Sequence, residues 1–138
     1  SGIRMELLKK QVSDLNLQDL VIFKGFESEL YSYYKNARYL VLSSKFEGLG
    51  MVLIESLLCE TPVISFDCDF GPNEIIQNKR NGLLVENQNV NKLIEAMNLF
   101  IDDENLYQTC KSNALKSTEK FSKENISKQW ISIFNDKH

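Results

Sequence analysis

The sequence predicts an α/β fold, a parallel sheet flanked by helices, and three observations carry that expectation. Short β-rich runs alternate with segments whose apolar residues recur at helical spacing. Strands separated by helices pair in parallel, because a crossover helix returns each strand to the same direction. The glycine-bearing stretches 43–50 and 67–71 both follow a strand, where such sheets place their ligands. With 138 residues and 43% hydrophobic content, the chain can bury one core and make one domain, its last helices running over 105–138.

Taken in order, Met5-Glu6-Leu7-Leu8-Lys9-Lys10-Gln11-Val12 has the apolar spacing of a helix, and Leu-Val-Ile-Phe-Lys at 20–24 reads as a strand. Residues 29–36 form a short helix, and Tyr-Leu-Val-Leu-Ser at 39–43 is a buried strand. A helix follows over 50–59, with Leu53, Ile54, Leu57 and Leu58 as its buried stripe and Glu55 outside it. Residues 62–66 are the next strand. Gly71-Pro72-Asn73-Glu74 turns into a helix over 73–77, where Asn73 is a candidate cap and Glu74 complements the dipole. A short strand at 82–85 precedes helices at 90–102, 105–118 and 123–134.

Composition excludes several classes. A formal net charge of −3 with scattered lysines gives no clustered cationic face for nucleic acid. Cys59, Cys68 and Cys110 are odd in number, lack Cys-x-x-Cys spacing and sit in apolar or helical surroundings, which points to reduced thiols of a cytoplasmic protein and to no zinc site. No apolar run is long enough to span a bilayer. His138, the single histidine, is terminal, so histidine-assisted nucleophilic catalysis lacks a base. Asp67 and Asp69 need no role beyond that of turn residues at a strand end.

The functional signal lies in Ser-Ser-Lys-Phe-Glu-Gly-Leu-Gly-Met-Val-Leu-Ile-Glu at 43–55. Gly48 and Gly50 let backbone approach a ligand closely, at the point where a helix presents unpaired amides. Those amides and the positive end of the helix dipole favour a phosphate or pyrophosphate, without a metal. Glu55 is five residues beyond Gly50, so its backbone lies roughly 7–8 Å along the helix. A carboxylate there can accept from two vicinal hydroxyls, and the segment can read a nucleotide's diphosphate and ribose together. Glu47, before the turn, faces whatever hangs from the far phosphate. Each feature alone also has a plain reading, for glutamates near helix starts commonly serve as caps or dipole partners.

Four blocks in order carry a family resemblance: Glu47 to Glu55 with Glu-Gly-Leu-Gly, Thr61-Pro62-Val63-Ile64, Gly71-Pro72-Asn73-Glu74-Ile75-Ile76, and Asn81-Gly82-Leu83-Leu84-Val85. From about residue 4 to 85 the chain resembles the Rossmann-like donor-binding, C-terminal half of a retaining glycosyltransferase of family 4, with the GT-B architecture. The resemblance makes Glu47 and Glu55 the Glu-x7-Glu motif. It implies that Glu47 contacts the donor sugar in the catalytic role. It gives Glu55 the ribose hydroxyls, and Gly48, Leu49, Gly50, Met51 and Val52 the diphosphate through backbone amides. By the same resemblance Phe23, Lys24 and Gly25 line the base, with Lys24 taken as a donor-binding residue, and Glu74 lies on the sugar side of the cleft. Lys45 and Arg4 are within plausible reach of a diphosphate, or simply solvated.

The implied activity is transfer of a hexosyl or N-acetylhexosaminyl group from a nucleoside diphosphate sugar, UDP-linked, to a glycan or lipid-linked acceptor with retention. No cofactor or metal is implied. Family donor domains carry two strands before the point where this sequence starts, in the middle of the sheet between the strands at 20–24 and 39–43. Their absence is expected to open a gap, filled by self-association or by an altered strand order. Ser1-Gly2-Ile3-Arg4 resembles the end of a family loop, or a cloning remnant. The resemblance also implies a missing N-terminal acceptor-binding domain, an inactive isolated fragment, and a cytoplasmic enzyme that associates peripherally with the inner face of the membrane. The last helix either is a solvated packing helix or, as the resemblance implies, crosses back to that domain, in which case Trp130 and Phe134 form an exposed apolar patch here.

Readings from other classes are weighed beside this one. A non-catalytic nucleotide-sugar-binding or regulatory module would keep Glu55 and the helix-end amides. A dinucleotide dehydrogenase is disfavoured because Leu53 stands at the third glycine's place after Gly48 and Gly50. A phospho-receiver domain lacks its acidic pair on the first strand.

Overall fold

A computed structural model describes residues 3–135, so Ser1, Gly2 and His138 lie outside the described residues. The chain divides into two compact units, residues 1–30 and 31–138. In the first, helix α1 (Ile3–Asp14) is closed by Asn16 at φ 55°, which lets the Leu17 amide reach back to the Val12 carbonyl at 2.9 Å.

The strand expected at 20–24 does not form. Leu20 and Ile22 are 78% and 74% exposed, and among the described residues no β-ladder includes this segment. Its β-branched and aromatic side chains supply propensity, but a strand exists only when a neighbour accepts its backbone hydrogen bonds.

The second unit holds a three-stranded parallel sheet in the order β1 (Leu40–Leu42), β2 (Val63–Asp67), β3 (Gly82–Glu86). Leu40 pairs with Val63, and Val63 with Gly82. β2 is central and covered on both faces, which explains why its residues 63–66 are all buried. Its alternate residues feed two cores. Ile64 and Phe66 join Leu83, Leu93, Ala96, Phe100, Tyr107 and Cys110. Val63 faces the other way, toward Leu53, Ile54, Leu57, Ile75, Ile76 and Ala114.

Around the sheet lie α2 (Tyr31–Asn36), α3 (Met51–Leu58), α4 (Pro72–Ile75), α5 (Val90–Asp102), α6 (Glu104–Ser117) and α7 (Lys123–Asn135). Asn89 caps α5 by accepting from the Lys92 amide, and Asp103 caps α6 by accepting from the Leu106 amide. Arg38, between α2 and β1, donates to the Phe100 carbonyl and to Glu104, each at 2.9 Å. Its guanidinium lies 4.1 Å from the Tyr107 ring centroid, so one side chain ties the entrance of β1 to α5 and α6.

The stripe expected on α3 needs one correction: Leu58 is 53% exposed, and Ser56 takes the buried place beside Leu53, Ile54 and Leu57. Ser56 tolerates burial because its hydroxyl donates to the Thr61 carbonyl. On α7 the Trp130 and Phe134 rings stack with centroids 6.2 Å apart, and both are exposed, as are Ile131 and Ile133. Among the described residues, no helix is long and apolar enough to cross a membrane.

Candidate functional site

Because β1 and β2 are parallel neighbours, with Leu42 opposite Ser65, the loops that follow them leave the same edge of the sheet. The first runs over 43–50 into α3, the second over 68–71 into α4. They touch backbone to backbone. A Cβ placed on Gly71 would lie 2.6 Å from the Leu49 carbonyl oxygen and 3.0 Å from that of Gly48, and Gly71 has φ +87°. Only glycine fits there.

Gly50 is the N-cap of α3 in the left-handed conformation, φ 76° and ψ 51°, and no side chain caps the helix. The Leu53 amide turns back to the Gly50 carbonyl at 2.9 Å. The preceding amides, those of Met51 and Val52, begin the helix and point out of its end, as first-turn amides must. Leu49 and Met51 carry exposed side chains, Val52 is half-buried, and around Gly48 a Cβ would meet nothing within 4 Å. The segment therefore offers uncapped donors beside open space, at a helix end that carries partial positive charge.

Glu47 is half-buried at the start of this turn. It belongs to the same end of the sheet as Asp67 and Asp69: burial is the main cause that raises the Cys68 thiol above its ordinary range, and the carboxylates of Glu47, Asp67 and Asp69 raise it further.

Glu55, also half-buried, is held from outside its helix. The Tyr34 hydroxyl donates to Glu55 Oε2 at 3.0 Å. Tyr34 is 8% exposed. Burial foremost, and then the hydrogen bond and charge of Glu55, push its phenol up to about 12. The tyrosine is itself fixed, for its carbonyl accepts from Thr61 Oγ1 at 2.7 Å. Thr61 in turn ends α3 by bonding its amide to the Ser56 carbonyl at 3.0 Å, past Glu60 at φ 60°. Reading the sequence missed Tyr34. It lies 21 positions from Glu55, outside any local periodicity, in a short helix that shows two other tyrosines, Tyr31 and Tyr33.

The remaining expected residues are less closely gathered. Glu74 is exposed in the first turn of α4, and its carbonyl accepts from Lys120 Nζ. Asn73 is no cap: α4 begins at Pro72 with Gly71 as its N-cap, which places Asn73 inside the helix. Proline suits that first position because its missing amide would have been unpaired. Lys45 is exposed, its ammonium 5.3 Å from the Phe46 ring centroid. Lys24 and Arg4 are exposed and belong to the first unit, whereas the other residues belong to the second.

Residues 2–117 match the family of glycosyl transferases group 1. The chain belongs to that family. The match takes in α1 to α6 and leaves α7 outside. This group 1 domain is 30% identical, over 97% of its length, to the poly(ribitol-phosphate) alpha-N-acetylglucosaminyltransferase of Staphylococcus aureus. It is 32% identical, over 98% of its length, to the poly(glycerol-phosphate) alpha-glucosyltransferase of Bacillus subtilis. It spans 27% and 20% of those two relatives. Among solved structures, Staphylococcus aureus TarM superposes with a TM-score of 0.84 at 30% identity, covering 97% of this chain and 27% of that one. Anabaena HepE in complex with UDP gives 0.85 at 25% identity, covering 96% of this chain and 36% of that one. The fold is thus that of a GT-B glycosyltransferase domain.

Proposed function

We propose that this group 1 glycosyltransferase domain is the donor-binding domain of a retaining enzyme of family 4, with Glu47 and Glu55 as its Glu-x7-Glu motif. The observation that carries the reading is the fixed Glu55 carboxylate, one and a half turns inside a helix whose amino end no side chain caps. A nucleoside diphosphate sugar spans that distance. Its diphosphate takes the amides of Leu49 to Val52, its ribose hydroxyls donate to Glu55, and its sugar lies toward Glu47 and Glu74. UDP is the favoured carrier, because a similar Anabaena protein is seen with UDP and with UDP-glucose. The group transferred is hexosyl or N-acetylhexosaminyl, in keeping with the names of the two Gram-positive relatives.

Catalysis in this reading needs no metal and no covalent nucleophile. Preorganised amide dipoles stabilise the charge that develops on the leaving diphosphate, and the acceptor hydroxyl attacks from the face that the leaving group departs. A glycan or lipid-linked acceptor is bound by a further domain, so residues 1–138 alone bind donor without transferring it. The working place is the cytoplasm, at the inner face of the membrane. Calorimetric titration of the full-length protein with UDP-glucose and UDP-N-acetylglucosamine tests this. Binding that weakens on Glu55→Ala supports the reading, and equal affinity of both proteins contradicts it.

A further inference from the structure

We propose that Tyr34 is a positioning residue for nucleotide recognition, a clamp that fixes one oxygen of Glu55 so that the carboxylate selects ligands carrying a vicinal diol. The inference rests on the reading of Glu55 as the ribose acceptor and adds a residue from a different helix. The geometry is a relay of fixed parts. Ser56 Oγ holds the Thr61 carbonyl at 3.1 Å, Thr61 Oγ1 holds the Tyr34 carbonyl at 2.7 Å, and Tyr34 Oη holds Glu55 Oε2 at 3.0 Å. The turn that ends α3 therefore sets the position of α2, and α2 sets the carboxylate borne by the middle of α3.

The chemistry follows from the donor inventory. An ionised carboxylate has about four acceptor positions over two oxygens, and a phenol supplies one proton. Tyr34 occupies one position on Oε2 and leaves the others for donors. A glutamate side chain has several rotatable bonds, and freezing them beforehand removes an entropy cost that the ligand would otherwise meet. The phenol is raised by burial and by Glu55 itself, so it stays a donor throughout the neutral range. A site prepared in this way accepts two hydroxyls well and gains nothing from a sugar that lacks them.

The test uses the full-length protein, with UDP and 2′,3′-dideoxy-UDP as probes in calorimetry. Wild type is expected to prefer UDP. Tyr34→Phe removes one oxygen from an otherwise unchanged ring, and is expected to weaken UDP by about five- to tenfold, less than the full worth of a hydrogen bond to a charged group because the freed carboxylate keeps its contact with the diol. The dideoxy probe is expected to bind both proteins alike, and in a Glu55→Gln background Tyr34→Phe is expected to change UDP affinity less than in wild type. Equal losses for both probes, or no loss for either, overturn the clamp while leaving Glu55 its role. Wild type that fails to distinguish the probes overturns the ribose reading of Glu55 and the clamp with it.

Discussion

The Tyr34 hydroxyl and Glu55 Oε2 stand 3.0 Å apart, joining α2 to α3 through a single hydrogen bond between a buried phenol and a half-buried carboxylate. Hydrogen bonds to a charged group contribute more than neutral ones, about 1.5–3 kcal/mol. This one fixes the side chain on which the proposed nucleotide recognition depends.

The bond has a pH signature. The folded protein holds the Tyr34 phenol at about 12, above its ordinary value of 10.0 in the unfolded chain. The folded state therefore keeps a proton that the unfolded state releases, and stability falls as pH rises between those values. Below the unfolded value the contribution is fully present. Urea unfolding of wild type is expected to show a midpoint that declines over that alkaline window, and Tyr34→Phe to show a shallower decline. Identical slopes would mean that the phenol does not report on folding.

Gly71 and Gly48 separate backbone fit from ligand access. Gly71→Ala sets a methyl against the Leu49 carbonyl at a positive φ, and is expected to cost about 2–4 kcal/mol of unfolding free energy. Gly48→Ala meets open space, and its stability is expected to stay within about 0.5 kcal/mol of wild type. Donor affinity is expected to fall in Gly48→Ala all the same, since under the proposed reading the new methyl enters the space of the diphosphate. Denaturant midpoints and calorimetry on the two variants check both statements.

Arg38 bears on stability alone. Its guanidinium serves two acceptors and covers the Tyr107 ring, a combination that the single ammonium of lysine cannot reproduce. Arg38→Lys is expected to lower stability by about 1 kcal/mol with donor affinity unchanged. A fall in affinity without a fall in midpoint would contradict that separation.

Local signals made much of this legible from residue order. α5 was plain because its apolar residues recur at helical spacing, and β2 because its run is mostly β-branched and aromatic. The turn before α3 was equally plain from its glycines. What failed was non-local. Residues 20–24 have strand-like side chains, yet strand formation is decided by a neighbour, which no local pattern records. Leu58 and Ser56 exchanged their expected burial because Thr61, beyond the helix, gives Ser56 a partner. Tyr34 went unnoticed because its contact with Glu55 exists only once α2 packs on α3.

The most direct measurement of the central claim is the affinity of the full-length protein for UDP-glucose and UDP-N-acetylglucosamine, compared with that of Glu55→Ala. Saturable binding of at least one donor, weakened by about tenfold or more in the variant, is the predicted result. Saturable binding that the variant leaves unchanged, or no binding of either donor by wild type, would contradict it.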